Sequence, residues 1–212
     1  MKTWAGILAA GAGRRVGYQP KALLPLGRRT FLETIADTAR RGGADGVAVV
    51  LGHHAEAVVP LAENWCDLLV HNPLPEQGMA SSAQRLAAAL PPAAWLLLWP
   101  VDLPAVEAST VRMLLEAASA TPSPLALIPR QSRRWGHPPL LAPTLVDALR
   151  RMTPPRRLDH FLRDQCPEPF LVDVDDEAIH LDVDHSRDLA HLQQRHRLVR
   201  SPSSALSVPA KS

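Results

Sequence analysis

Leu8-Ala9-Ala10-Gly11-Ala12-Gly13-Arg14-Arg15, with Lys21 close behind, gathers residue types that suit a polyanion. Ala10 to Gly13 are small enough for their backbone N–H groups to come close to a phosphate. Arg14 or Arg15 and Lys21 add positive charge. The apolar run Trp4–Ala9 reads as a strand, so the glycines fall beyond its carboxyl end, where ligands bind in open α/β sheets. Two other phosphate-binding layouts fail. Lys21 lies too far from the glycines for a P-loop. Pro20 and Pro25 prevent a helix from opening inside the glycine run, as a dinucleotide fingerprint requires. The bland alternative is a glycine turn with solvated arginines. The agreement of strand, glycines, arginine and lysine favours a triphosphate.

Four further stretches carry candidate chemistry. Asn72 and Glu76–Leu86 hold Gly78, Met79, Ser81 and Ser82, with serine at an expected helix start near 81 or 82, where capping alone would account for one serine. WPVDLP ends an apolar strand in a lone carboxylate, Asp102, which would serve as a cap or a cation ligand. HLDVDH, read as a strand, puts His180, Asp182 and Asp184 on one face and Leu181 and Val183 on the other. That face is a metal site or simply a solvated edge. RRWGHPPLL contains Gly136, His137 and Pro138 in a loop. His53-His54 lacks metal-ligand spacing and reads as a cap or loop feature.

The elements that must position these residues follow from apolar periodicity. Strands are expected at Trp4–Ala9, Gly46–Leu51, Asp67–Val70, Trp95–Trp99 and Leu125–Ile128. Helices are expected at Phe31–Arg41, Ala55–Glu63, Ser82–Leu90, Ala108–Ala118 and Thr144–Met152. Alternating strands and helices imply a three-layer, doubly wound α/β domain with a mostly parallel sheet. Thr30 followed by Glu33 forms a capping box for the first helix. The long connection from Ala9 to Thr30 carries Leu23, Leu24 and Leu26, so it is expected to pack down. After Thr153 come a short helix, strands at Pro169–Val174 and Ala178–Leu181, and a helix at Ser186–Arg195. We expect one domain over residues 1–195 and a disordered, basic, Ser/Pro/Ala-rich tail over 196–212.

The 212-residue chain has 23 basic and 21 acidic residues, a balance that demands neither nucleic acid nor an anionic membrane. No run approaches the ~20 apolar residues of a membrane span. Two cysteines without C-x-x-C spacing read as reduced thiols, and the expected location is cytoplasmic.

Taken in order, these stretches resemble the nucleotidyltransferase superfamily, in particular its molybdenum cofactor cytidylyltransferase-like members. Leu8, Ala9, Ala10, Gly11, Gly13, Arg15, Val16, Gly17 and Lys21 match its opening signature, with Val16 in place of the usual Met. Asn72, Gly78, Met79 and Ser82 match the segment beside base and ribose. Asp102 matches the magnesium-holding Asp, with Val101 where Gly is usual. Asp182, Val183, Asp184, Asp188 and Leu189 match the closing acidic element, and Gly136, His137 and Pro138 the loop on the acceptor side. The resemblance implies the nucleotide-diphospho-sugar transferase-like fold. It also implies Mg2+ held by Asp102 and Asp184, with Asp182 in reserve. The implied reaction moves a nucleotidyl group from an NTP to a small phosphorylated acceptor, releasing pyrophosphate. Arg15, Lys21 and Asp102 are the catalytic residues it implies, and Leu8–Gly11, Gly13, Arg14, Gly78, Met79 and Ser82 the nucleotide contacts. The Ala-Ala-Gly opening points to CTP, and the acceptor is expected to be molybdopterin or molybdenum cofactor, with a molybdoenzyme as a further partner. Two alternatives stay open: the same chemistry on a sugar phosphate, and a non-catalytic nucleotide-binding chaperone for molybdoenzyme maturation.

Overall fold

In the computed structural model, strand β1 (Thr3–Ala9) lies at the centre of the main sheet. The structure describes residues 1–153 and 157–200, with side chains to 194. The other strands are β2 (Pro25–Leu26), β3 (Arg29–Thr30), β4 (Gly46–Leu51), β5 (Leu68–His71), β6 (Trp95–Pro100), β7 (Ala126–Gln131), β8 (Arg134–Trp135), β9 (Leu140–Leu141) and β10 (Phe170–Asp173). The helices are α1 (Phe31–Gly42), α2 (Ala55–Trp65), α3 (Met79–Ala89), α4 (Ala108–Ala120), α5 (Pro143–Arg150), α6 (Leu158–Gln165) and α7 (Ser186–Arg200).

Along the sheet the order is β10-β7-β9-β6-β1-β4-β5, with β8 pairing β7. The block β5-β4-β1-β6 is parallel throughout. Short β9 enters antiparallel between β6 and β7, and β10 runs parallel to β7. Two apolar layers cover the faces. Phe31, Leu32 and Ile35 of α1 pack on one side with Ile7 and Trp99, while Leu86 of α3 and Leu145 of α5 pack on the other with Leu8 and Leu98. The alternation of Ile7 and Leu8 between layers follows from the two-residue period of a strand. Burial on both faces explains why β4 and β6 read as unbroken apolar runs.

β1, β4, β6 and α1 fall within a residue or so of their expected bounds. The capping box is present: the Thr30 side chain accepts from the Glu33 N–H, and Glu33 accepts from the Thr30 N–H. The connection after β1 packs down as expected, with Leu24 5% and Leu26 2% exposed and a small β2–β3 hairpin within it.

Three expectations are corrected. α3 begins at Met79, not at Ser81 or Ser82, so both serines lie in its first turn instead of capping it. The segment 178–181 is no strand: Glu177–His180 is a short 3-10 turn started by Asp176, which accepts from the Ala178 N–H. Residues 181–185 pair with no strand, so the one-face argument for His180, Asp182 and Asp184 lapses. Helix α7 continues to Arg200, past the expected boundary at 195, and the rest of the expected tail, 201–212, lies outside the described residues.

Candidate active site

The glycine-rich loop leaves β1 at Ala9 and turns on Gly13, whose φ of 62° is left-handed. A Cβ added there would lie 2.0 Å from the Gln19 carbonyl, so only glycine fits. The Gly13 carbonyl accepts from the Val16 and Tyr18 N–H groups at 3.0 and 2.9 Å, closing the loop on itself. This geometry brings Lys21 back beneath the loop.

Lys21 meets two carboxylates there. Its ammonium lies 3.0 Å from Asp102, just past the end of β6, and 3.0 Å from Asp184. Asp184 reaches the site because the Val183 N–H donates to the Asp102 carbonyl at 2.8 Å, pinning the 181–184 segment to the end of β6. Arg15 adds a 2.6 Å ion pair to Asp184 from a largely exposed position. Burial works against the Lys21 charge, but Asp102 and Asp184 outweigh it and raise the lysine's pKa. Burial likewise opposes the Asp184 charge, and Lys21 and Arg15 overcome it, holding the carboxyl below its usual range.

These groups line one cleft of about 500 Å³. Every residue expected to contact nucleotide faces it: Leu8 to Gly11, Gly13 and Arg14 along one wall, and Gly78, Met79 and Ser82 along the other. Asn72, 1% exposed, organises that second wall. Its amide donates to Ser81 Oγ and Ser82 Oγ, both at 2.9 Å, and its carbonyl oxygen accepts from the Leu74 N–H. Ser81 Oγ then donates to the Gly78 carbonyl at 2.9 Å, fixing the turn into α3. Asn72 entered the sequence reading only as part of a motif, and its buried position makes it the pivot.

A second cavity of about 630 Å³ opens beside the first, sharing Leu8, Gly78, Met79 and Pro100. Its walls are mostly apolar, from Leu98, Pro139, Leu158 and Leu162, with His137 and an Arg157–Asp159 pair at 3.0 Å. Of the three residues expected on the acceptor side, only His137 lines it. Gly136 is a packing position, where a Cβ would fall 2.5 Å from Ile179. Pro138 is buried. His137 is exposed and opens onto the cleft, yet the protein atoms around it partly desolvate the ring and disfavour the charged form. That desolvation outweighs the pull of Asp102 and Asp182 and, helped by His180, lowers its pKa. Asp182 is exposed and does not line the nucleotide cleft, which leaves Asp102 and Asp184 as the converging carboxylates.

His54 was read as a cap or loop feature. It occupies the position before α2, but its side chain caps nothing. Instead its Nε2 lies 3.1 Å from the Ala12 carbonyl in the glycine-rich loop.

A glycine loop at the end of a central parallel strand, a lysine between two carboxylates and an adjoining second cavity define an NTP-dependent transferase on a doubly wound sheet. The chain belongs to the MobA-like NTP transferase domain family, whose model matches residues 5–169, and its enzyme class is nucleotidyltransferase. It is 37% identical over 193 residues to nicotine blue oxidoreductase of Paenarthrobacter nicotinovorans, covering 84% of this chain and 90% of that protein. Among solved structures, Rv0371c from Mycobacterium tuberculosis H37Rv superposes with a TM-score of 0.77 at 27% identity, over 92% of this chain and 99% of that one. Rv0371c has also been solved in complex with manganese. Molybdopterin-guanine dinucleotide biosynthesis protein A from Archaeoglobus fulgidus shares the fold, with a TM-score of 0.67 at 15% identity over 92% and 99% of the two chains. Membership in this family implies two substrates, a nucleoside triphosphate and an acceptor. Among the described residues no helix is long and apolar enough to cross a membrane.

Proposed function

We propose that this protein transfers CMP from CTP to the phosphate of a small, ring-bearing acceptor of the molybdopterin type, with Mg2+, in the cytoplasm. The observation that carries the reading is the convergence of Lys21, Asp102 and Asp184 at 3.0 Å beneath the glycine loop.

An acceptor phosphate oxygen attacks the α-phosphorus, and the bond from that phosphorus to the bridging oxygen of the β-phosphate breaks. Pyrophosphate leaves with the electron pair. The attacking phosphate is already anionic, so no general base is needed. Positioning and charge stabilisation supply the catalysis. The loop N–H groups, Arg15 and Lys21 hold the β- and γ-phosphates and stabilise the leaving charge. Asn72 holds Ser82 and the Gly78 turn against the nucleoside. The apolar cavity takes the acceptor's ring system, and His137 offers a hydrogen-bonding group at its edge.

The residues fit a divalent cation. Two hard oxygen donors already share one cationic partner, the Lys21 ammonium, and among the described residues no cluster of three or more His, Cys, Asp or Glu forms a metal cage. Magnesium is commonly held by one or two carboxylates together with substrate phosphates. Asp102 and Asp184 would hold it, and it would supply charge neutralisation at the reacting phosphates.

A second reading rests on the 37% identical relative named as an oxidoreductase: the apolar cavity would hold a flat ring undergoing reduction. One panel separates the two. Thermal shifts are measured with CTP, GTP, ATP, UTP, NADH or NADPH, each with and without magnesium, followed by pyrophosphate release with molybdopterin. A magnesium-dependent shift with CTP plus pyrophosphate release supports cytidylyl transfer. A shift with GTP alone moves the assignment to guanylyl transfer. A shift only with a nicotinamide dinucleotide overturns the proposal in favour of the redox reading. A ligand at ~100 times its Kd stabilises by about 2.7 kcal/mol, enough to resolve these cases.

A further inference from the structure

We propose that His54 is a positioning residue that aims the phosphate-loop N–H groups into the nucleotide cleft, through a hydrogen bond from its Nε2 to the Ala12 carbonyl. The proposal rests on the reading of this loop as a polyphosphate cradle.

The turn between β4 and α2 touches the loop at two alternate carbonyls, those of Ala10 and Ala12. The His53 N–H donates to the Ala10 carbonyl at 3.3 Å, and His54 Nε2 lies 3.1 Å from the Ala12 carbonyl. Contact is tight, because a Cβ on Gly52 would sit 2.7 Å from that same Ala10 oxygen. A trans peptide is planar, and its C=O and N–H point in opposite directions. Pinning the Ala10 carbonyl on the α2 side therefore turns the Gly11 N–H away from α2. Pinning the Ala12 carbonyl does the same for the Gly13 N–H. Gly11 and Gly13 both line the cleft, as does His53 of the pinning turn.

A carbonyl oxygen carries no proton, so the contact is a hydrogen bond when the ring nitrogen donates, in the tautomer that holds its proton on Nε2. Without that donor the 12–13 peptide is free to rotate, and a loop that must order on binding binds more weakly. No side chain of the loop itself holds either carbonyl, so the pin comes from outside the segment that touches ligand. His54 touches no substrate in this reading and acts only through the backbone it holds.

The test uses the full chain and two variants, His54→Ala and His54→Gln, because a glutamine amide can donate from nearly the same place. CTP binding with Mg2+ is measured by calorimetry, and thermal unfolding is measured without ligand. We expect the Kd for CTP to rise about tenfold in His54→Ala, which corresponds to about 1.4 kcal/mol. It should return most of the way in His54→Gln, with both unliganded melting curves close to wild type. Binding as tight as wild type in His54→Ala, or no recovery in His54→Gln, overturns the proposal. The nitrogen-15 spectrum of the free wild-type protein gives a ligand-independent readout. A proton on Nδ1 instead of Nε2 of the neutral His54 ring overturns it even if nucleotide binds. Failure of the wild-type chain to bind any nucleotide removes the cradle reading itself, and this inference with it.

Discussion

Asp184 accepts a 3.0 Å hydrogen bond from Lys21 across 163 residues of sequence. The contact joins the first loop of the domain to the segment just before its last helix. It exists because two independent structures converge: the Gly13 turn brings Lys21 back under the loop, and the Val183–Asp102 backbone bond carries Asp184 to the end of β6. Lys21 thus holds together the two carboxylates proposed to take the metal. It is the counter-ion that both carboxylates share, and in the proposed reaction its donors would be shared with the phosphates as well.

Replacing Lys21 with alanine should therefore have opposite effects on two ligands. Turnover should fall by about 10²–10³, as when one preorganised charge stabiliser is removed. Free Mn2+ should bind more tightly than to wild type, because the competing ammonium is gone while both carboxylates remain. Electron paramagnetic resonance titration of Mn2+ without nucleotide reads the second effect, and pyrophosphate release reads the first. Unchanged or weaker Mn2+ binding would show that Asp102 and Asp184 are not joint ligands.

The same cluster sets a pH dependence of stability. Asp184 has a lowered pKa in the folded state, so its contribution is present above the ordinary carboxylate range and is lost as pH falls through the folded value. Lys21 has a raised pKa, so its contribution is present below the ordinary lysine range and is lost as pH rises through the folded value. Melting temperature measured against pH should fall on both flanks. Asp184→Asn should flatten the acid flank, and Lys21→Met the alkaline one. Partial exposure of Asp184 makes the acid effect modest and sensitive to salt.

The sheet and the glycine turn after β1 were legible in sequence because both rest on local rules. A strand buried on both faces reads as an apolar run, and a loop that must admit an anion needs glycines at fixed places. The capping box of Thr30 and Glu33 was legible for the same reason. The closing segment was not. His180-Leu181-Asp182-Val183-Asp184 alternates like a strand, yet its backbone is held by Asp102 and by turns, so period-two reasoning placed three side chains on one face that the fold separates. His54 and Asn72 were undervalued because their partners are distant or hydroxylic. Nothing within a few residues of His54 signals the Ala12 carbonyl, 42 positions away. Asn72 offered a better cue, since an asparagine closing a strand and followed by two serines on a helix is a hydrogen-bonding set that burial would demand be satisfied.

Asn72→Ala should cost about 1–3 kcal/mol, since it removes the donor to the buried Ser81 and Ser82 hydroxyls and the acceptor of the Leu74 N–H. It should also weaken nucleotide binding, because the Gly78 turn loses its brace. Asn72→Asp retains the acceptor for Leu74 but cannot donate to the serines, which must rotate to donate instead. Chemical denaturation and CTP titration of both variants check this. A stability loss without any change in CTP binding would confine Asn72 to a structural role.

Gly11 and Gly13 separate steric need in the free protein from steric need in the complex. A Cβ on Gly13 meets the Gln19 carbonyl and a left-handed backbone, so Gly13→Ala must reshape the loop before any ligand arrives. The left-handed conformation alone costs an alanine about 1–2 kcal/mol. We expect a lower melting temperature and weak CTP binding from that variant. A Cβ on Gly11 meets nothing within 4 Å. Gly11→Ala should therefore melt like wild type. If Gly11 lets its backbone approach phosphate, the added methyl group blocks that approach, and CTP affinity should fall about tenfold or more, the worth of one charge-assisted hydrogen bond. Melting curves and calorimetry on the pair decide the matter. Wild-type affinity in Gly11→Ala would mean that the polyphosphate does not lie against this part of the loop, and Arg15 and Lys21 would then have to hold it without the Gly11 backbone.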